Sequence, residues 1–220
     1  MIPRTLGMIL AAAIGCIAAA VPAARIAAAD RPVTVVALGD SLAAGFGLAA
    51  KDAFPAKLQA ALAAKGIAAT IVDAGVSGDT ASGGLARLSW SVPDDADGVI
   101  VELGANDALR GLDPAVPRAA LDAILRRLKE RGIPVLLCGM LSPPNLGADY
   151  ARAFNAIYPD LARTYDPVFY PFFLDGVVTN RQLIQGDGLH PTAAGVDAIV
   201  ANVLPKVEEL IGRIRAKRRP

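Results

Sequence analysis

The chain has 220 residues, 54% hydrophobic and 20% charged, with 22 Lys and Arg against 21 Asp and Glu. That length accommodates one α/β domain with a sizeable core. A net charge of +1 supplies no field for nucleic acid, and a single histidine without a CxxC pair leaves no recognisable metal-ligand cluster.

Arg4 gives the chain a positive start, Leu6–Ala20 form an apolar run, and Ala27–Ala29 ahead of Asp30 make a small-residue cleavage pattern. Together they predict a secretory signal peptide over residues 1–29, removed after Ala29, and a secreted or periplasmic mature protein. A membrane anchor competes with this reading, but Pro22 and Arg25 interrupt the run before the roughly 20 residues needed to span a bilayer. Lipidation at Cys16 is the second alternative. It is weakened by Ala13, three positions earlier, where a larger aliphatic is usual. Removal of the leader leaves Cys138 alone, so no intramolecular disulfide is possible. Its place in the apolar run Pro134–Gly139 predicts a thiol buried in a strand.

Beyond Asp30, Val33–Leu38, Ala69–Asp73, Val99–Leu103 and Val135–Gly139 are continuous apolar runs of strand length, as expected for parallel strands buried on both faces. A fifth short strand is expected within Val168–Phe173. Helical patterns cover Phe54–Lys65 ending at Gly66, Thr80–Leu88 after a cap-like Asp79, Pro117–Arg131 ending at Gly132, and Asp149–Tyr165. A closing helix is expected over Pro191–Ile214, with Pro191 in its first turn. The alternation implies a doubly wound α/β sheet with right-handed crossovers in a single domain over residues 30–220. Arg213, Arg215, Lys217, Arg218 and Arg219 read as cations at a helix C-terminus fraying into solvent, with weak attraction to anionic membranes as the alternative.

Ligands of such sheets gather at the carboxyl ends of the strands, where strand order reverses. Four polar features fall there: Gly39-Asp-Ser41, Ser77-Gly78-Asp79, Gly104-Ala-Asn106-Asp107 and Asp187-Gly-Leu-His190. Each alone is most simply a turn or a helix cap. Their joint occurrence with the only histidine of the chain changes the balance. A serine hydroxyl needs a base within hydrogen-bond reach, and an imidazole base needs its second nitrogen held by an acceptor. His190 and Asp187 can supply these to Ser41. Negative charge developing on a carbonyl oxygen calls for preorganised donors, for which the backbone N–H groups of Ser41 and Gly78 and the amide of Asn106 are candidates. Glycine at 78 would also leave the substrate's approach unobstructed. Asp40, Asp79 and Asp107 read as structural acceptors for neighbouring loop amides.

Gly39-Asp-Ser-Leu42, Gly78, Gly104-Ala-Asn-Asp107 and Asp187-Gly-Leu-His190 resemble the four blocks of the SGNH hydrolases, the GDSL esterase and lipase family. Val76-Ser-Gly-Asp-Thr80, Gly84-Leu-Ala-Arg-Leu88, Val101-Glu-Leu-Gly104, Pro143-Pro-Asn-Leu-Gly147 and Tyr150–Pro159 look most like its secreted bacterial thioesterase, lysophospholipase and arylesterase group. The resemblance implies Ser41 as nucleophile, His190 as general base and acid, Asp187 as its orienter, and Ser41, Gly78 and Asn106 as the oxyanion hole. It implies a flavodoxin-like three-layer sandwich, a five-stranded parallel sheet between helices, with no cofactor and no metal. The implied substrates are small acyl esters or thioesters, met by a monomer in transient contact with lipid.

Two other functions compete. A non-catalytic phosphate binder built on Gly39, Gly45 and Gly47 lacks the spacing of the known phosphate loops. A carbohydrate O-deacetylase would use the same machinery, but Leu141–Gly147 and Tyr170–Leu174 offer an apolar lining suited to acyl or aryl groups. The Pro- and Gly-rich stretch Ser142–Tyr150 is expected to form a loop over that acyl pocket.

Overall fold

The computed structural model describes residues 31–219. The expected signal peptide, its cleavage point and Cys16 lie outside them.

Five short segments pair in parallel in the order β2-β1-β3-β4-β5: β1 Val33–Gly39, β2 Ala69–Gly75, β3 Gly98–Glu102, β4 Val135–Cys138 and β5 Val168–Tyr170. The chain goes outward from β1 to β2 and returns to β3, so strand order reverses between β1 and β3, where a ligand crevice belongs. Residues following these two strands therefore face one another across that crevice. Every residue of β3 and β4 is buried, and all but Thr34 of β1, which explains their near-continuous apolar runs, broken only by Thr34 and Glu102. The expectation of burial on both faces fails for β2, where only Ala69 is fully buried. As an edge strand it has a pairing partner on one side only.

Nine α-helices occur among the described residues: α1 Ser41–Ala44, α2 Phe54–Ala64, α3 Ala81–Ala86, α4 Leu88–Ser91, α5 Ala105–Leu109, α6 Ala115–Glu130, α7 Ala148–Asn155, α8 Ile157–Tyr165 and α9 Ala193–Arg218. Two groups pack on the sheet, α2 with α9, and α6 with α3 and α8, giving the three-layer sandwich. Leu58 and Leu62 of α2, Leu121, Ile124 and Leu128 of α6, and Val203, Val207 and Leu210 of α9 are wholly buried. Their three- and four-residue spacing is the stripe by which a helix covers a sheet.

Several boundaries differ from those the sequence suggests. Thr80, not Asp79, caps α3, its hydroxyl accepting the Gly83 amide at 3.2 Å, and the expected helix breaks at Arg87 into α3 and α4. The single helix expected over Asp149–Tyr165 divides at Ala156, because Pro159 has no N–H to bond the Asn155 carbonyl. α6 starts two residues earlier than expected, with the Asp113 carboxylate accepting the Ala115 amide at 2.9 Å. Pro191 does not begin α9. It bridges to Ile184, and Thr192 is the cap. Nor do all the terminal cations fray: Lys217 donates to the Gly132 carbonyl and Arg218 pairs with Asp97 while only 11% exposed.

Candidate active site

β1 ends at Gly39, where a β-carbon would lie 2.6 Å from Ala43 Cβ and 2.9 Å from the Glu102 carbonyl oxygen. Only glycine lets α1 turn back so closely on β3. Asp40 then caps α1, its carboxylate accepting the Leu42 amide at 3.0 Å. Ser41 is the first residue of this one-turn helix, 8% exposed at the crevice.

The loop before α9 brings Asp187 and His190 to the same place. Asp187 Oδ1 accepts the amides of Leu189 (2.9 Å) and His190 (3.0 Å), while Oδ2 stands 2.6 Å from His190 Nδ1. Those amides, His190 first, and then the imidazole hold the Asp187 carboxyl down to about 2. An ionised carboxylate only accepts, so the Nδ1 proton points to it and the Nε2 lone pair faces outward. Nε2 lies 2.9 Å from Ser41 Oγ, across 149 positions of chain. Gln185 secures the loop: its side-chain amide donates to the carbonyls of Phe46 and Pro191, each at 2.8 Å, and its backbone N–H to that of His190. The ring of Phe46 covers the imidazole with centroids 4.6 Å apart.

Gly78 adopts φ +87°, but a β-carbon there would meet nothing closer than Arg110 Nη2 at 3.8 Å. The left-handed backbone is a further reason for glycine at this position. Neither the Ser41 nor the Gly78 amide meets an acceptor among the described residues, which leaves both free to donate. Asn106 differs. Its Nδ2 already donates to Asp79 O (2.9 Å) and Asp40 Oδ2 (3.1 Å), so an incoming oxyanion must share or displace the longer bond.

Two of the three neighbouring aspartates behave as the sequence suggests. Asp40 accepts Leu42 and Asn106, and Asp107 accepts the Ala81 amide at 2.8 Å. The carboxylate of Asp79 instead binds the guanidinium of Arg87 at 2.6 Å. Cys138 is buried in β4 as expected, and burial pushes its thiol well above the usual range. Beside it in β3, Glu102 is fully buried, its Oε2 accepting the Asp40 amide at 3.3 Å and its Oε1 unpartnered among the described residues. Desolvation, then the nearby Asp40 charge, drives the Glu102 carboxyl well above its ordinary value. Desolvation also raises that of Asp40 to about 6. Of the expected apolar lining, Phe173 and Leu174 belong to the core, with Phe173 packed edge-on against Phe54, whereas Leu141 is exposed. In the stretch Ser142–Tyr150, Pro144–Leu146 form a 3₁₀ turn, and the Tyr150 hydroxyl ties α7 to the Leu112 carbonyl at 2.9 Å.

Residues 37–198 match the family model described as the GDSL-like Lipase/Acylhydrolase family. The chain belongs to that family. This GDSL esterase is 42% identical over 168 residues to the thioesterase 1/protease 1/lysophospholipase L1 of Escherichia coli K12, covering 76% of this chain and 78% of the relative. It is 38% identical over 166 residues to an arylesterase of Vibrio mimicus, covering 75% and 83%. The crystal structure of TesA superposes on the GDSL esterase with a TM-score of 0.76 at 38% identity, over 80% of this chain and 99% of that one.

Reading the sequence alone missed Phe46, Gln185, Arg87, Arg110 and Glu102 as parts of the site. Two of them left a signal: Glu102 is an acid inside the buried strand run, and Arg87 a cation between the apolar Leu85-Ala86 and Leu88. The other three left none, since nothing in the pattern distinguishes them from ordinary loop residues.

Proposed function

We propose that the protein cleaves carboxylic esters and thioesters, arylesters, acyl thioesters and lysophospholipids among them, through an acyl-enzyme on Ser41. The observation that carries this reading is the unbroken line from carboxylate to imidazole to hydroxyl, 2.6 Å and 2.9 Å long. His190 Nε2 takes the Ser41 proton as Oγ bonds to the acyl carbon, and the Ser41 and Gly78 amides, joined by Asn106, receive the negative charge on the former carbonyl oxygen. The tetrahedral intermediate collapses with cleavage of the bond to the alcohol or thiol, which leaves with the proton from His190. Water then attacks the acyl-enzyme, giving its proton to His190, which returns it to Ser41 as the acid departs. Asp187 stabilises the imidazolium at both stages. Every step balances without a cofactor.

Exposed Val76 and Leu141 follow β2 and β4, and exposed Phe46 and Leu189 flank His190, which supports acyl or aryl substrates and transient contact with lipid. The E. coli relative's name includes both thioesterase and lysophospholipase. We further infer a monomer, released outside the cytoplasm by removal of residues 1–29. No helix among the described residues is long and apolar enough to cross a membrane.

A fluorophosphonate probe tests the reading directly. It should label the wild-type protein at Ser41 and leave Ser41→Ala unlabelled and without turnover of p-nitrophenyl esters. Turnover by Ser41→Ala at the wild-type rate would overturn it. A panel containing graded acyl esters, an acyl thioester, a lysophospholipid and an acetylated sugar then ranks the substrates. Preference for the sugar would favour the deacetylase.

A further inference from the structure

Arg87 stands at the break between α3 and α4, 5% exposed, with no direct contact to the catalytic hydroxyl or imidazole. Its guanidinium donates in several directions at once: Nη2 to the Gly39 carbonyl (2.8 Å), Nε to Asp79 Oδ2 (2.6 Å), and Nη1 to the Ala74 carbonyl (2.8 Å) and Ser91 Oγ (3.1 Å). Gly39 is the last residue of β1, two before Ser41. Ala74 is the penultimate residue of β2, and Asp79 directly follows Gly78. The bonds thus join the turn carrying one oxyanion amide to the loop carrying the other.

The third donor enters the same circuit. Asn106 binds the carbonyl of Asp79 and the carboxylate of Asp40, and Asp40 is covalently joined to Gly39. Followed in order, Gly39, Arg87, Asp79, Asn106 and Asp40 close a ring of bonds that passes beside all three oxyanion donors. We propose that Arg87 is a positioning residue that closes this ring and holds the Ser41, Gly78 and Asn106 donors at a fixed separation. The inference rests on the oxyanion roles proposed above.

The chemistry of the side chain fits that task. A guanidinium is planar and presents its donors as a rigid fork, whereas a lysine ammonium is one compact charge on a flexible stem. Lysine at 87 could satisfy Gly39 or Asp79 but could not hold both in a fixed relation. A buried ion pair is also a weak source of stability, because desolvation offsets much of the attraction and apolar replacements often do as well. A stability role alone does not call for an arginine here. Donor geometry does, since misplacing a catalytic group by about 1 Å can lower the rate by roughly 10²-fold.

The test compares Arg87→Lys, Arg87→Met, Asp79→Asn and Ser91→Ala, the last removing a bond outside the ring. Competent sites are first counted by fluorophosphonate titration run to completion, and kcat per titrated site and KM are then measured with p-nitrophenyl butyrate. Labelling of the wild type at Ser41 checks the underlying reading separately. For Arg87→Lys we expect kcat per site to fall roughly 10- to 100-fold with KM within about threefold, and Ser91→Ala to stay within about twofold. In an Asn106→Ala background the Arg87→Lys loss should shrink to less than about threefold, since both act on one donor set. If Arg87→Met does not fold, Arg87→Lys and Asp79→Asn decide the matter. Wild-type kcat per site in both, whatever the change in melting temperature, would overturn the proposal, as would a full multiplicative loss in the Asn106→Ala background.

Discussion

The phenyl ring of Phe46 lies against the imidazole of His190, centroids 4.6 Å apart and planes inclined by 37°. One of these residues follows α1 and the other precedes α9, so the contact joins the two chain segments that bring His190 Nε2 to Ser41 Oγ. Phe46 is half exposed, so its loss should damage catalysis more than folding. Contacts of this type contribute about 0.5–1.5 kcal/mol. Phe46→Ala should therefore lower kcat/KM roughly two- to tenfold and leave the unfolding midpoint nearly unchanged. Steady-state kinetics beside a thermal melt check this. A loss confined to stability would remove Phe46 from the site.

Asp187 receives two backbone amides as well as the imidazole. Its carboxyl, held at about 2, stays ionised throughout the range in which an esterase is assayed. The stability it contributes is complete above its unfolded value of 3.8 and is lost only as pH falls through about 2. Loss of activity on mild acidification should therefore not trace to Asp187. Asp187→Asn should keep the loop's amide contacts yet favour the wrong tautomer, lowering kcat by up to roughly 10⁴-fold. A pH-rate profile of both proteins tests the two statements together.

Asn106 presents its amide to protein acceptors already, which separates its role from that of Gly78. Asn106→Ala should lower kcat by roughly 10²- to 10³-fold. It should also free Asp40 from one of its two donors. Asn106→Asp should be at least as damaging, because a carboxylate would face both Asp40 and the developing oxyanion. An effect of Asn106→Ala on KM alone would count against oxyanion stabilisation.

Asp40 and Glu102 are both buried and both raised, Asp40 from 3.8 to about 6. A carboxyl raised on folding keeps its proton in the native state after the unfolded chain has released it. Stability is then greatest below the unfolded value and falls as pH rises through the folded one. For Asp40 the window in which stability falls opens near pH 4 and extends to about 6. Asp40→Asn and Glu102→Gln should each gain stability relative to wild type as pH rises from 4 to 7. Urea unfolding at the two ends of that range measures the difference. An equal difference at both ends would show that neither carboxyl is raised.

Much of this protein was determined by local chemistry legible along the chain. Near-continuous apolar runs marked β1, β3 and β4 because those strands are buried on both sides. Glycine and polar residues immediately after the strands marked the edge that carries the proposed site, because there the backbone must turn sharply and present hydrogen-bond donors. Ser41, Gly78 and Asn106 follow β1, β2 and β3 in this way, whereas Asp187 and His190 come to the same edge from the loop before α9, across 149 positions of chain. Tertiary structure alone decided what depends on contacts between distant segments: that β2 is an edge strand, that Pro191 bridges to Ile184 instead of opening α9, and that Phe173 packs in the core. The same is true of Arg87 and Glu102, whose bonds to the Gly39 carbonyl and the Asp40 amide span 48 and 62 positions of chain. A side chain's periodicity reports which way it faces along its own segment, but its partners and its desolvation are fixed only when other segments close over it.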